Sequence, residues 1–172
     1  SYDNPENADG SQLSTKTQYH KLYYHKLGDD QSNDELIFGG EKQPNRYIGG
    51  FVTEDQKYLV VSAAQNTSGN QVYIKDLTKA GSEFIQIDDD YMSRISYIEN
   101  DGSRFLMSTN IGAPNYRIVS VDLANPGQEN WKDVIPETEN VLTAGSAGGK
   151  IFAEYLVDAK SMVKQYDLNG KF

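Results

Sequence analysis

The chain has 172 residues, carries 16 Lys and Arg against 25 Asp and Glu for a net charge of −9, and contains no cysteine. Such a length suits one domain with one good core, and the acid excess argues against nucleic acid or an anionic membrane surface as a partner. Without cysteine there is no disulfide framework, thiolate nucleophile or cysteine zinc site, and the compartment, cytoplasm or periplasm, stays open.

The opening stretch SYDNPENADGSQLSTKTQ, residues 1–18, is polar, contains Pro and Gly and lacks an initiator methionine. It reads as a loop entered midway, so a chain cut from a longer protein is expected. No signal-peptide pattern is present, and no run approaches the roughly 18 apolar residues of a membrane span. Two strands follow, Lys21–Leu27 and Glu35–Gly39, joined by the acidic loop DDQSNDE. Four more are Tyr47–Phe51, Tyr58–Ala63, Val72–Leu77 and Glu83–Ile87, then another four at Arg94–Ile98, Arg104–Ser108, Tyr116–Leu123 and Trp131–Ile135. The last three are Val141–Gly145, Lys150–Leu156 and Met162–Leu168. Short alternating runs rich in Tyr and β-branched residues make these strands, and helical periodicity over three turns is absent.

The runs repeat. VYIKDL, YRIVSVDL and VKQYDL all end in Asp-Leu, with the aspartates at 76, 122 and 167. Tight turns at Asp55-Gln56, Asp101-Gly102 and Gly148-Gly149 keep the same spacing, in residues that tolerate the positive φ of hairpins. A period of about 40–50 residues carrying four short antiparallel strands describes a propeller blade. The expected fold is therefore all-β, a partial β-propeller of four-stranded blades with about three blades present. Residues 19–40 end one blade, 41–90 and 91–137 are full blades, and 138–172 supply three strands of another. Each blade's first strand is expected innermost, where the small residues Gly49, Gly50, Ser96, Ala144 and Gly145 suit the crowding.

Candidate chemical residues are few. Ser146, inside AGSAGG, has the look of a hydrolase nucleophile elbow, but Ala144 stands where the first glycine of that motif belongs. The segment after it alternates like a strand, and both histidines, His20 and His25, precede it, against the order of such triads. Ser146 therefore reads as part of a hairpin. His20 and His25 are five apart on or beside a strand and point to opposite faces, which disfavours a shared metal. Asp88-Asp89-Asp90 reads as a solvated acidic loop between blades, not a calcium loop. Asn66-Thr67-Ser68 fits a glycosylation sequon, a pattern common by chance. No metal site and no cofactor is expected.

Several stretches resemble the prolyl oligopeptidase (prolyl endopeptidase) family: KLYYHKLGDDQSNDELIF, TNIGAPNYRIVSVDL and NWKDVIPE, in the family's order and across nearly the whole chain. The resemblance implies a parent serine peptidase in which an α/β-hydrolase domain is capped by a seven-bladed propeller. Such enzymes cut short peptides after proline, and the propeller restricts entry by size without being catalytic. It also implies partners: the peptidase domain of the parent chain and short proline-containing peptides. No catalytic residue carries over, because no position matches the family's triad motifs. In some members an Arg at the start of one strand and a Cys four residues later approach substrate. Those positions are Gln71 and Lys75 here, both departures from that pattern, and they stand as substrate-side candidates. The alternative class is a stand-alone binding propeller for protein or glycan; against its WD-repeat form, the Gly-His and Trp-Asp marks are missing. Blades short of strands leave free edges at Lys21–Leu27 and Met162–Leu168, so self-association of two chains is also expected.

Overall fold

Alternation of apolar and polar side chains builds thirteen strands among residues 18–172, the part described by this computed structural model. The opening segment read as a loop lies outside the described residues, apart from Gln18. β1 (Lys21–Tyr24) and β2 (Glu35–Gly39) form a two-stranded sheet. A four-stranded sheet follows, β3 (Tyr47–Val52), β4 (Tyr58–Ala64), β5 (Gln71–Asp76) and β6 (Phe84–Gln86). The next four, β7 (Ile95–Asp101), β8 (Arg104–Thr109), β9 (Arg117–Asp122) and β10 (Lys132–Ile135), make the third sheet. β11 (Leu142–Ala147), β12 (Lys150–Val157) and β13 (Lys160–Asp167) make the last. Every pair is antiparallel and joins sequence neighbours, and no α-helix occurs among the described residues.

Most boundaries shift by a few residues from the sequence reading, and three of the shifts have a clear local reason. β1 stops at Tyr24, opposite the first residue of β2, so the residues up to Leu27 have no ladder to join, and Leu27 is 93% exposed. β12 and β13 are longer than expected. Asp158 and Ala159 take φ of 49° and 62°, which lets a two-residue turn join the strands directly at Val157 and Lys160.

The Asp-Leu repeat has a physical cause. Asp76, Asp122 and Asp167 each end the third strand of a sheet, and each Oδ1 accepts the N–H two residues on, from Thr78 (2.9 Å), Ala124 (3.0 Å) and Asn169 (2.9 Å). This Asx turn gives the backbone a partner off the ladder and so ends the strand. The Asp76 carboxyl is held down at about 2, first by the Thr78 hydroxyl and then by Lys79.

Apolar clusters fill the seams between successive sheets. Val61, Ala63 and Tyr73 of the second sheet meet Leu22 and Phe38 of the first. On its other face Val60, Val72 and Ile74 meet Ile95, Phe105, Met107 and Val119 of the third. Ile98, Leu106 and Ile118 then meet Leu142, Ile151, Ala153 and Tyr155 of the last. β4 is apolar on both faces because both are covered, and each large side chain so buried contributes about 1.5–3 kcal/mol. The first strands of successive sheets adjoin: the Phe51 and Tyr97 rings lie 5.5 Å apart, and Ser146 Oγ donates to Ile98 O at 2.7 Å. Gly49, Gly50, Ser96, Ala144 and Gly145 all lie on these strands.

Candidate functional site

When antiparallel strands follow one another in order, their loops alternate between two ends of the sheet. Residues 40–46, 65–70 and 87–94 therefore gather at one end. Asn70 ties two of these loops together. Its N–H donates to Ser93 O (3.0 Å), and its side-chain amide pairs with Ile95 as a strand would, Nδ2 to Ile95 O (2.9 Å) and Oδ1 from Ile95 N (3.3 Å). Arg94 Nη2 adds a bond to Thr67 O at 2.7 Å. Asn115 ties the corresponding segments one blade later, its side-chain Nδ2 donating to Thr138 O (3.1 Å) and Glu139 O (3.2 Å) while its backbone carbonyl accepts from Leu142 N. Neither asparagine stands out in the sequence. Their separation of 45 residues, in step with the repeat, is the signal that marks them.

A polar group fills the middle of this end. Gln71 opens β5 and is 3% exposed. Its Nε2 donates to Asp89 O (2.8 Å) and its Oε1 accepts from the Tyr73 hydroxyl (2.8 Å), so both ends of the amide are engaged within the chain. Burial pushes the Tyr73 phenol up, against a hydrogen bond from Gln43 and the nearby Arg46 charge. Arg46 places its guanidinium carbon 3.8 Å from the centroid of the Tyr91 ring, and desolvation draws its pKa down. Lys75 is half-buried at the far part of β5, with Nζ 5.5 Å from the centroid of the Phe84 ring. The structure does not bring Gln71 and Lys75 into one polar cluster.

The acidic triplet is a correction. Asp88 is not solvated: it is 5% exposed, wedged where the edge of the second sheet meets the third. Gln128 Nε2 donates to its Oδ1 at 2.7 Å, and Oδ2 is buried with no partner. Desolvation, opposed by the Gln128 bond, pushes this carboxyl up. Asp90 instead caps its own turn, accepting from Met92 N (2.9 Å) and Ser93 Oγ (2.7 Å), and is held low by those bonds.

A raised carboxyl favours the folded state most when protonated. Its contribution is complete below the unfolded value and is lost as pH rises through the higher folded value. Asp88→Asn, which keeps the oxygen facing Gln128 and removes the charge, is therefore expected to melt at or above the parent at about pH 8 and to lose that advantage toward about pH 4. Thermal melts across this range check it. A variant weakened more at the alkaline end than at the acid end would show the ionised carboxylate to be the stabilising form.

The remaining sequence candidates lie apart. His20 packs edge-on against Tyr47 and accepts from Ile48 N at 3.3 Å, while His25 Nδ1 sits 2.6 Å from Asp34 Oδ1. Ser146 lies within β11 opposite Ile151, and Gly148 and Gly149, at φ of 56° and 70°, make the hairpin turn after it. Asn66 is exposed in the 65–70 loop, with Oδ1 accepting from Ser68 N. No group of three or more acidic or histidine side chains among the described residues is arranged to hold a metal ion. None of these residues has a helix long and apolar enough to cross a membrane.

Antiparallel sheets that stack face to face in sequence order, with their first strands adjoining, are the blades of a β-propeller. All 172 residues match the family described as prolyl oligopeptidase, N-terminal beta-propeller domain. The chain belongs to that family. It is 52% identical over 171 residues to the prolyl endopeptidase of Elizabethkingia miricola, a match covering 99% of this chain and 24% of that protein. It is 35% identical over 121 residues to prolyl oligopeptidase A of Amanita bisporigera, covering 67% of this chain and 16% of the other. A structure of prolyl oligopeptidase B from Galerina marginata bound to a 25mer macrocyclization substrate superposes with a TM-score of 0.83 at 26% identity, over 98% of this chain and 24% of that one. The chain spans about a quarter of the length of its Elizabethkingia relatives.

Proposed function

We propose that this chain is the non-catalytic propeller portion of a serine peptidase that cuts short peptides after proline, and that it gates their access to an α/β-hydrolase domain. The match of the whole chain to the N-terminal propeller of prolyl oligopeptidases carries the reading. Local chemistry supports it. The Ser146 hydroxyl is engaged by the Ile98 carbonyl, and no hydrogen bond joins it to His20 or His25, so it has no base to activate it. In this reading the end that holds Gln71 faces the peptidase domain; of the two substrate-side candidates Gln71 lies at that end, and Lys75 lies toward the other end of β5.

The complete polypeptide, assayed on a proline-containing peptide and on a long unfolded protein, is expected to cut the peptide after proline and spare the protein. Cleavage of both with no preference for proline would remove the reading. The present chain alone is expected to leave a Gly-Pro chromogenic amide intact; turnover abolished by Ser146→Ala would place catalysis in this portion instead.

Self-association belongs to the same proposal. Phe152, Leu156 and Val163 share the uncovered face of the last sheet, Leu156 and Val163 both 60% exposed, and Tyr24 and Leu36 are exposed on the first. Apolar faces of this kind favour pairing with a second copy in solution. Sedimentation velocity over a range of concentrations tests this, and a lone 19.2 kDa species at the highest concentration removes it.

A further inference from the structure

Arg46 is a cation with no anion paired to it among the described residues. Among the described residues its guanidinium makes no hydrogen bond and no ion pair, and its Nε is buried with no partner. Three residues earlier, the Oε1 of Gln43 is buried in the same condition. Asp88 faces Gln128, and Asp90 faces Met92 and Ser93. Tyr91 covers one face of the guanidinium, which offsets part of its desolvation. Stacking uses the π-face only and leaves the in-plane N–H donors free. A planar pair of acceptor oxygens fits that fork. Arg46 and Tyr91 are both partly exposed, so the stack can be reached from solvent.

We infer that Arg46, held on Tyr91 with Gln43 beside it, is a docking point for the carboxylate of a bound peptide, supplied by an acidic side chain or by the C-terminus. The inference rests on the reading that this end of the blades meets peptides, and it adds where along such a peptide negative charge is preferred.

Four peptides test it by titration into the ¹⁵N-labelled chain, read from the backbone amide resonances of residues 45–47 and 90–92, which every variant keeps. Acetyl-Gly-Pro-Glu-amide carries a side-chain carboxylate, acetyl-Gly-Pro-Gly a terminal one, and acetyl-Gly-Pro-Gln-amide none. At least one of the first two is expected to bind about tenfold or more tighter than the third, with an advantage that falls as salt rises, and the better of the pair identifies the source. Arg46→Gln is expected to erase that advantage, and Arg46→Lys to keep only part of it. Equal affinity for all three, no binding of any, or an undiminished preference in both Arg46→Gln and Tyr91→Leu overturns the inference. Acetyl-Gly-Ala-Glu-amide separates it from the function proposed above. Binding equal to that of the proline peptide leaves the carboxylate site standing and counts against proline recognition by this chain.

Discussion

Phe105→Ala is expected to cost about 3–5 kcal/mol of folding stability, a large share of the roughly 5–15 kcal/mol that holds an ordinary domain together. Phe105 lies on β8 and is fully buried at the seam between the second and third sheets. Its ring meets Tyr58 edge-on at 5.0 Å and Tyr97 at 5.9 Å, and Tyr97 in turn contacts Phe51 across the seam. Removing the ring loses the transfer free energy of its carbons and leaves a void that strands fixed on both sides cannot collapse to fill. Urea titration followed by circular dichroism measures the loss. Phe105→Leu, which keeps most of the volume, should lose clearly less. A cost below about 1 kcal/mol for the alanine would mean the seam is not packed as described.

Gly69→Ala should destabilise by about 2–4 kcal/mol, for a reason unrelated to glycine's flexibility. A Cβ at Gly69 would fall on the carbonyl oxygens of Ser93 and Tyr91 and lie 2.6 Å from Ser93 N, all backbone atoms that cannot swing aside. The 65–70 and 87–94 loops must separate, which breaks the Asn70 N–H bond to Ser93 and loosens the amide grip on Ile95. Gly49→Ala is the matched comparison, since nothing lies within 4 Å of its would-be Cβ. That change is expected to stay within about 0.5 kcal/mol. Equal melting temperatures for the two variants would refute the close approach.

Local features were legible and tertiary ones were not. The repeat could be read because Asp76, Asp122 and Asp167 close their strands with bonds two residues long, so the cause lies inside the string of letters that shows it. Ser146 could be read as a hairpin residue because the segment after it alternates like a strand and Ala144 breaks the nucleophile motif, both visible in the adjoining letters. Asn70 and Asn115 escaped because an asparagine in a loop looks the same whether it bonds its own turn or grips the backbone about 25 residues away. Asp88 misled because three adjacent aspartates look solvated, and only the arrival of Gln128 from 40 residues on encloses the first of them. Arg46 and Tyr91 are 45 residues apart, and nothing local to either announces the stack. Gln71 was reached through resemblance alone, and its amide proves to be tied within the chain.

The seam between the second and third sheets is apolar inside and polar at its corners, where Asn70 meets Ile95, Asn100 meets Asp55 at 3.0 Å, and Gln128 meets Asp88. Aliphatic faces are tolerant of small rotations, because one methyl group slides past another with little change in energy. Hydrogen bonds are not, since they weaken steeply with misalignment. The corners therefore act as an indexing mechanism, setting the angle at which one blade follows the next while the interior supplies most of the adhesion. In a ring the angular error of every seam adds to that of the one before, and the last blade meets the first only if each increment is accurate. Loss of any one corner contact would then be felt less in the strength of its own seam than at the closure of the circle.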